Sequence, residues 1–211
     1  EAYNHTHVHY VAQVFLLRNS EIPRPRFRDA YNELRHAPPA HVSHNTGNNE
    51  WYTPAEYIEA ARQVLGGIDL DPASSAAANA VVQATHYFSE VDDGLDQPWR
   101  GRVWLNPPYA QPAIEHFARK LADGVAAGDV TAAIVLVNNA TETEWFATVA
   151  RVATAICFPV GRVRFWSPDR DSATPLQGQA VLYTGSDVAA FRASFGAFGL
   201  IASLLPPSEG S

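Results

Sequence analysis

From Asn49 onward the chain alternates short apolar runs with amphipathic stretches, and two of the apolar runs stop abruptly at proline. No other feature constrains the fold as strongly. Strand-like segments read at Ile68 to Asp71, Arg102 to Leu105, Ala132 to Val137 and Ala155 to Phe158. Helical patterns separate them. One opens at Thr53-Pro54-Ala55-Glu56, read as a capping box with proline at the first helical position, and closes at Gly66-Gly67. An Ala-rich one covers Ser74 to Ala84, a third runs from Pro112 to Ala126, and Thr141-Glu142-Thr143-Glu144 starts another. Strands alternating with helices predict an α/β fold around a mostly parallel sheet, because parallel neighbours need a crossover that a helix supplies. Arg162 to Trp166 and Gln179 to Thr184 predict an antiparallel C-terminal hairpin around a polar loop, followed by a helix from Asp187 and an apolar tail.

Both prolines fall where such a sheet holds ligands, beyond the carboxyl ends of its strands. Asn106-Pro107-Pro108-Tyr109 is the more informative of the two ends. The Asn106 side-chain oxygen and the Pro107 carbonyl are acceptors on one stiff turn, and neither proline brings an N–H to oppose them. Such a pair suits an exocyclic amine such as N6 of adenine, whose lone pair is delocalised into the ring. Acceptors aimed at the amine hydrogens draw the nitrogen towards a tetrahedral shape and free that pair. Tyr109 adds a flat face for a base, and base–aromatic stacking contributes ~1–3 kcal/mol. The bland alternative is a polar turn that closes a strand.

At the earlier end, Asp71-Pro72-Ala73-Ser74-Ser75 sets a carboxylate ahead of small residues entering a helix. That suits the cationic amine of a cofactor's methionine part, or else a plain strand-to-helix turn. No Gly-x-Gly-x-x-Gly occurs, against a standard dinucleotide site. Arg162 and Arg164 alternate, so on a strand they share a face with reach to phosphate or a base edge. A solvated edge is the alternative. Asn138 and Asn139 follow another strand's carboxyl end and are candidates for lining the same pocket.

Composition narrows the function classes. At 211 residues the chain suits one domain with a substantial core. A net charge of −7 argues against non-specific coating of DNA, which needs many Lys and Arg contacts to phosphate. It leaves room for a local basic face among Arg100, Arg102, Arg119, Lys120, Arg162, Arg164 and Arg170, about half of which read as scattered solvated charges. No apolar run approaches the ~20 residues of a membrane span, and no secretory signal opens the sequence. Cys157 is the single cysteine, so the chain forms no internal disulfide and a reducing, cytoplasmic setting fits. It reads as a core residue on a buried strand, against a cysteine nucleophile of the cytosine-C5 kind. Residues 1–48 hold six of the eight histidines and no long periodicity, and read as an N-terminal extension. His5, His7 and His9 alternate there without a carboxylate or cysteine nearby, so they read as surface histidines and no metal is expected. The chain opens on Glu1 without any methionine and reads as a fragment or processed product.

Taken together, Asn49-Glu50-Trp51-Tyr52-Thr53-Pro54, Leu70-Asp71-Pro72-Ala73-Ser74, Asp93-Gly94-Leu95 and Trp104-Leu105-Asn106-Pro107-Pro108-Tyr109 resemble the phage-type (Dam-like) DNA N-6-adenine methyltransferases. Cys157-Phe158 and Gly161 to Phe165 look like that family too, so the resemblance spans roughly Asn48 to Thr184. It implies a Rossmann-like, S-adenosylmethionine-dependent methyltransferase fold over residues 49–211, with double-stranded DNA as substrate. It also implies a bacterial or phage-infected cytoplasm and a restriction-modification setting. Carried over by residue, Tyr52, Thr53 and Pro54 match the element that holds the cofactor carboxylate. Asp71, Pro72, Ala73 and Ser74 match the first cofactor motif, whose usual glycine is missing here. Asp93 and Leu95 match the acidic motif beside the cofactor's adenine, and Asn106, Pro107, Pro108 and Tyr109 match the catalytic motif in its Asn form. The implied reaction is direct transfer to the N6 amine of a flipped adenine; Arg162 and Arg164 are the candidate DNA contacts on their alternation alone.

Two other readings stand beside this one. The same turn orients any planar amide or amine, so a methyltransferase acting on protein glutamine or on RNA is the first. A non-catalytic DNA-binding module with a decayed cofactor site is the second. Oligomeric state has no sequence signal.

Overall fold

In the computed structural model, which describes residues 52–167, 170–173 and 177–204, helix α1 (Ala55–Leu65) turns Tyr57, Ile58, Ala61 and Leu65 inward. It stops at Gly66, whose φ of 69° is left-handed and whose N–H closes on the Arg62 carbonyl. Strand β1 (Leu70–Asp71) is cut short by Pro72 and leads into α2 (Ala76–Val82), which Ser75 caps by accepting the Ala78 N–H. Then come β2 (His86–Tyr87), β3 (Gly101–Leu105), α3 (Ala113–Ala127), β4 (Val130–Asn138), α4 (Glu144–Val152) and β5 (Ala155–Pro159). A small ribbon of β6 (Phe165–Ser167) and β7 (Arg170–Ala173) precedes β8 (Gln179–Thr184), α5 (Val188–Phe195) and β9 (Gly199–Ser203).

Seven strands form one sheet in the order β2-β1-β3-β4-β8-β5-β9. The β2, β1, β3 and β4 neighbours are parallel, while β8 runs antiparallel between β4 and β5, and β9 antiparallel to β5. The sheet is mostly parallel and Rossmann-like, as expected from the alternation. Side-chain alternation along β4 shows how it is covered. Ala133, Val135 and Val137 pack with Phe117 and Leu121 of α3 and Trp145 and Val149 of α4. Ile134 and Leu136 pack on the other face with Ile58 and Ala61 of α1 and Phe191 and Phe195 of α5. Burying each such aliphatic or aromatic side chain stabilises by ~1.5–3 kcal/mol, so the two helical layers hold the strand ends in place.

Three details differ from the sequence reading. The antiparallel C-terminal hairpin is β6 with β7, while Gln179–Thr184 leaves it to join the main sheet between β4 and β5. All six residues of β8 are buried, and the sheet interior takes them because it covers both of their faces. Thr53 does not cap α1: the N-cap residue is Pro54, without a side-chain cap, because the buried Thr53 hydroxyl is engaged elsewhere. The second box does not form as such: the helix starts two residues later, with Thr143 rather than Thr141 as its N-cap, accepting the Phe146 N–H. β2 and β9 are further strands, which the periodicity of the sequence does not announce. The histidines and extension of residues 1–48 lie outside the described residues.

A bidentate pair between Asp69 and Arg102 fixes the amino ends of β1 and β3, at 2.6 Å and 2.8 Å. Gly101 (φ 76°) is needed beside it, since a Cβ there would run into the Asp69 carboxylate. Among the described residues no helix is long and apolar enough to cross a membrane.

Candidate active site

The carboxyl ends of β1 and β3 lie on one edge of the sheet because the strands are parallel. Leu70 pairs with Val103, so Asp71 and Asn106 stand on adjacent strands, two residues out of step and on the same face. At ordinary strand spacing their Cα atoms are roughly 8 Å apart.

Asn106 is held at both ends of its amide. Its Nδ2 donates to Thr53 Oγ1 at 3.2 Å, and its Oδ1 accepts from the Tyr109 hydroxyl at 2.9 Å. In this arrangement Thr53 offers a lone pair to the amide nitrogen, and Tyr109 offers the amide oxygen a share of its one hydroxyl proton. The Tyr109 hydroxyl also lies 3.2 Å from the Leu136 carbonyl, and burial pushes its pKa up, so it stays a donor. An amide oxygen has two lone pairs, which leaves one on Oδ1 for a ligand. Tyr109 itself is half-buried and packs against the core, Pro107 is buried and Pro108 is exposed.

Thr53 belongs to a strip that closes on the strap leaving β5. The backbones of Tyr52 and Trp166 exchange hydrogen bonds at 2.8 Å and 3.0 Å, and their rings tilt together at 5.0 Å. Trp166 Nε1 donates to the Thr53 carbonyl at 3.3 Å. The Ser75 hydroxyl donates to the Tyr52 hydroxyl at 3.3 Å, linking this strip to the start of α2. Pro54 is buried beside them.

Asp71 is 2% exposed and has no ion-pair partner among the described residues. Burial pushes its carboxyl up to about 7, while the Ser74 hydroxyl and the Ala73 N–H (3.3 Å) pull more weakly the other way. Ser74 Oγ is buried and makes no hydrogen bond of good geometry, so the turn keeps unused polar capacity. The missing glycine of the first motif is offset nearby: a Cβ on Gly94 would collide with the Pro72 carbonyl, so only glycine lets the 93–95 loop lie against this turn. That role of Gly94 was not read from the sequence, although the motif was. Trp99 Nε1 donates to the Gly94 carbonyl at 2.7 Å and Lys120 Nζ to the Leu95 carbonyl at 2.6 Å. Asp93, at φ 47°, accepts the Leu95 N–H at 3.0 Å and is exposed, while Leu95 packs partly on the core.

The structure thus brings Tyr52, Thr53, Asn106 and Tyr109 together, and Asp71, Pro72, Ala73 and Ser74 against Asp93 to Leu95. Arg162 and Arg164 lie before β6 rather than within it, yet both are exposed while Val163 between them is buried. Of the other basic candidates, Arg102 pairs with Asp69, Arg119 with Glu115, and Lys120 is turned to Leu95. Cys157 is fully buried, its thiol is pushed up to about 11 by burial, and its Sγ faces the Phe195 carbonyl at 3.6 Å. Among the described residues no group of His, Cys, Asp and Glu is arranged to hold a metal.

A Rossmann-like sheet with an Asn-Pro-Pro-Tyr corner beside a buried carboxylate, both on its carboxyl edge, defines a methyltransferase of the α/β class. The chain matches the family described as DNA N-6-adenine-methyltransferase (Dam) over residues 41–183, well over half its length, and it belongs to that family. Its activity is accordingly DNA adenine-N6 methylation, DNA is its substrate, and S-adenosylmethionine is the methyl source that such an enzyme implies. No curated protein matches the chain.

Proposed function

We propose that residues 49–211 form a methyltransferase domain that moves a methyl directly onto N6 of an adenine turned out of duplex DNA, with Asn106 and the Pro107 carbonyl accepting the amine hydrogens. The observation that carries this reading is the two-ended hold on Asn106, which presents an oxygen with one free lone pair at the strand end. As the amine attacks, those two acceptors stabilise the positive charge growing on nitrogen without any reorganisation at the moment of reaction. The carbon–sulfur pair stays with sulfur, and the surplus N6 proton, which neither neutral acceptor can keep, leaves to water. Thr53 and Tyr109 act through Asn106 as positioning residues. The part of the Tyr109 ring not packed on the core is the platform for the base, with Pro108 at its exposed margin. No covalent enzyme intermediate is required, and Cys157 takes no part.

The cofactor supplies a methyl made electrophilic by its sulfonium. The residues fit such a group: among the described residues Asp71 is a buried carboxylate without a cation, and Ser74 Oγ beside it has no hydrogen-bond partner. Asp71 holds the ammonium of the methionine part, with Pro72, Ala73 and Ser74 permitting close approach. Tyr52, Thr53 and Pro54 flank its carboxylate, and Asp93 and Leu95 flank its adenine. Extruding the base requires a grip on the duplex, and the exposed Arg162 and Arg164 give it on the strap that runs from β5 to Trp166 and Thr53. Residues 1–48 are an extension to this domain, and the setting is the cytoplasm of a bacterium or infected host.

The test is to sequence methylated bases in DNA from cells expressing the chain. N6-methyladenine at one short recurrent site is the expected result. DNA indistinguishable from that of cells expressing Asn106→Ala would reject the reading.

A further inference from the structure

Four neighbouring strands place polar side chains on the same edge and the same face, and the function above uses two of them. The others are Asn138, which ends β4, and Gln179, which opens β8 directly opposite. Gln179 is 3% exposed. Its Nε2 donates both to Asn138 Oδ1 and to the Gln177 carbonyl, each at 3.0 Å. A carbonyl only accepts, so the Gln177 contact fixes which end of the Gln179 amide is nitrogen. Asn138 must then turn its oxygen towards that nitrogen, and its own NH₂ is left pointing away. No protein acceptor takes that NH₂ among the described residues. Gln179 Oε1 is buried and has no hydrogen-bond partner among the described residues. Holding an amide pair this way with open capacity costs free energy unless a ligand or water completes it.

Strand register puts the pair beside the catalytic corner. Leu105 pairs with Val135, so Asn106 stands level with Leu136, whose carbonyl meets the Tyr109 hydroxyl. Asn138 is the next residue outward on that face of β4. Its Cα is roughly 8 Å from that of Asn106 at ordinary strand spacing, close enough for two short amides to meet one purine edge.

We infer that Asn138, oriented by Gln179, is a specificity-determining residue for the flipped base, its NH₂ donating to the ring nitrogen next to the amine that Asn106 engages. Adenine shows an amine donor beside an acceptor nitrogen, N7 on one edge and N1 on the other. An acceptor corner next to a donor amide matches that pattern. Guanine and thymine carry a carbonyl where the amine must be, and so meet acceptor with acceptor. Cytosine shares adenine's pattern and is separated by its smaller ring. The inference rests on the N6 reading above and adds which further atom of the base is read.

The test uses the full chain and duplexes bearing its recognised site, with the target adenine replaced by 1-deazaadenine or 7-deazaadenine. The wild-type enzyme should lose about tenfold or more in kcat/KM on one of the two and little on the other. Asn138→Ala should be slow on adenine, indifferent to which ring nitrogen is missing, and unchanged in cofactor affinity. A wild-type enzyme equally fast on both analogues overturns the inference without any variant. So does an Asn138→Ala enzyme that keeps the wild-type preference between them. Failure to methylate the unmodified duplex is a separate result, which removes the N6 reading and this inference with it.

Discussion

The ends of β1 and β3 are built alike and finished differently. Each strand stops at a proline on the same edge, and each presents a short polar side chain, Asp71 or Asn106. Asn106 is held from both sides by Thr53 and Tyr109, whereas Asp71 is buried with no cation among the described residues and lies next to a serine hydroxyl without a hydrogen-bond partner there. One end is held in place before any ligand arrives; the other has its charge matched only by its ligand. The difference teaches where orientation and where affinity reside. A preset acceptor favours the transition state, since nothing has to reorganise when charge develops. An unpaired buried carboxylate favours binding of a cation, since desolvation has already been imposed on it.

Substitutions can break this contrast. Asn106→Ala should lower kcat by about 10²–10³-fold and leave cofactor affinity, measured by calorimetry, nearly unchanged. Asp71→Ala should do the reverse, weakening cofactor binding by about tenfold or more, since losing one partner of a buried charge pair costs about 2–5 kcal/mol. Asp71 also sets a pH dependence. Its carboxyl is raised to about 7, so it is neutral below that pH and binds a cation poorly. Cofactor affinity should therefore climb between about pH 6 and 8, and Asp71→Asn should flatten the climb. Stability of the ligand-free chain runs the other way. The proton held in the folded state adds stability that is full below the ordinary carboxylate pKa and is lost as pH rises through about 7.

Smaller effects sharpen the comparison. Thr53→Val removes the acceptor that orients the Asn106 amide and should cost about tenfold in kcat, with Thr53→Ser restoring most of it. If Thr53→Val instead weakens cofactor binding and spares kcat, its hydroxyl serves the cofactor and not the corner. Replacing Arg162 and Arg164 together by Ala should weaken DNA binding severalfold and lower the salt slope by about two, with cofactor affinity untouched. An unchanged salt dependence would remove both from the DNA contact.

Much of this is legible in the sequence. The apolar runs of β3, β4 and β5, the glycine stop of α1 and the Thr143 cap are local signals, and each lies within a residue or two of its expected place. What was not legible depends on contacts between distant residues. Thr53 looks like a helix cap in isolation, and only the approach of Asn106, far along the chain, gives its hydroxyl another partner. The strand at Gln179–Thr184 is plain as a strand, but its place between β4 and β5 follows from burial on both faces and not from its neighbours in sequence. β2 is two exposed residues and carries no periodicity to detect. Asn106 and Asp71 were found because proline marks both strand ends, whereas Gln179 has no such mark, and only its hydrogen bonds to Asn138 and Gln177 single it out.

The most direct measurement is nucleoside mass spectrometry of duplex DNA incubated with the purified chain and methyl-labelled S-adenosylmethionine. The label should appear as N6-methyladenosine nucleoside of the deoxy series, and Asn106→Ala should give almost none. Label on cytosine alone, or equal labelling by the Asn106→Ala protein, would contradict the account.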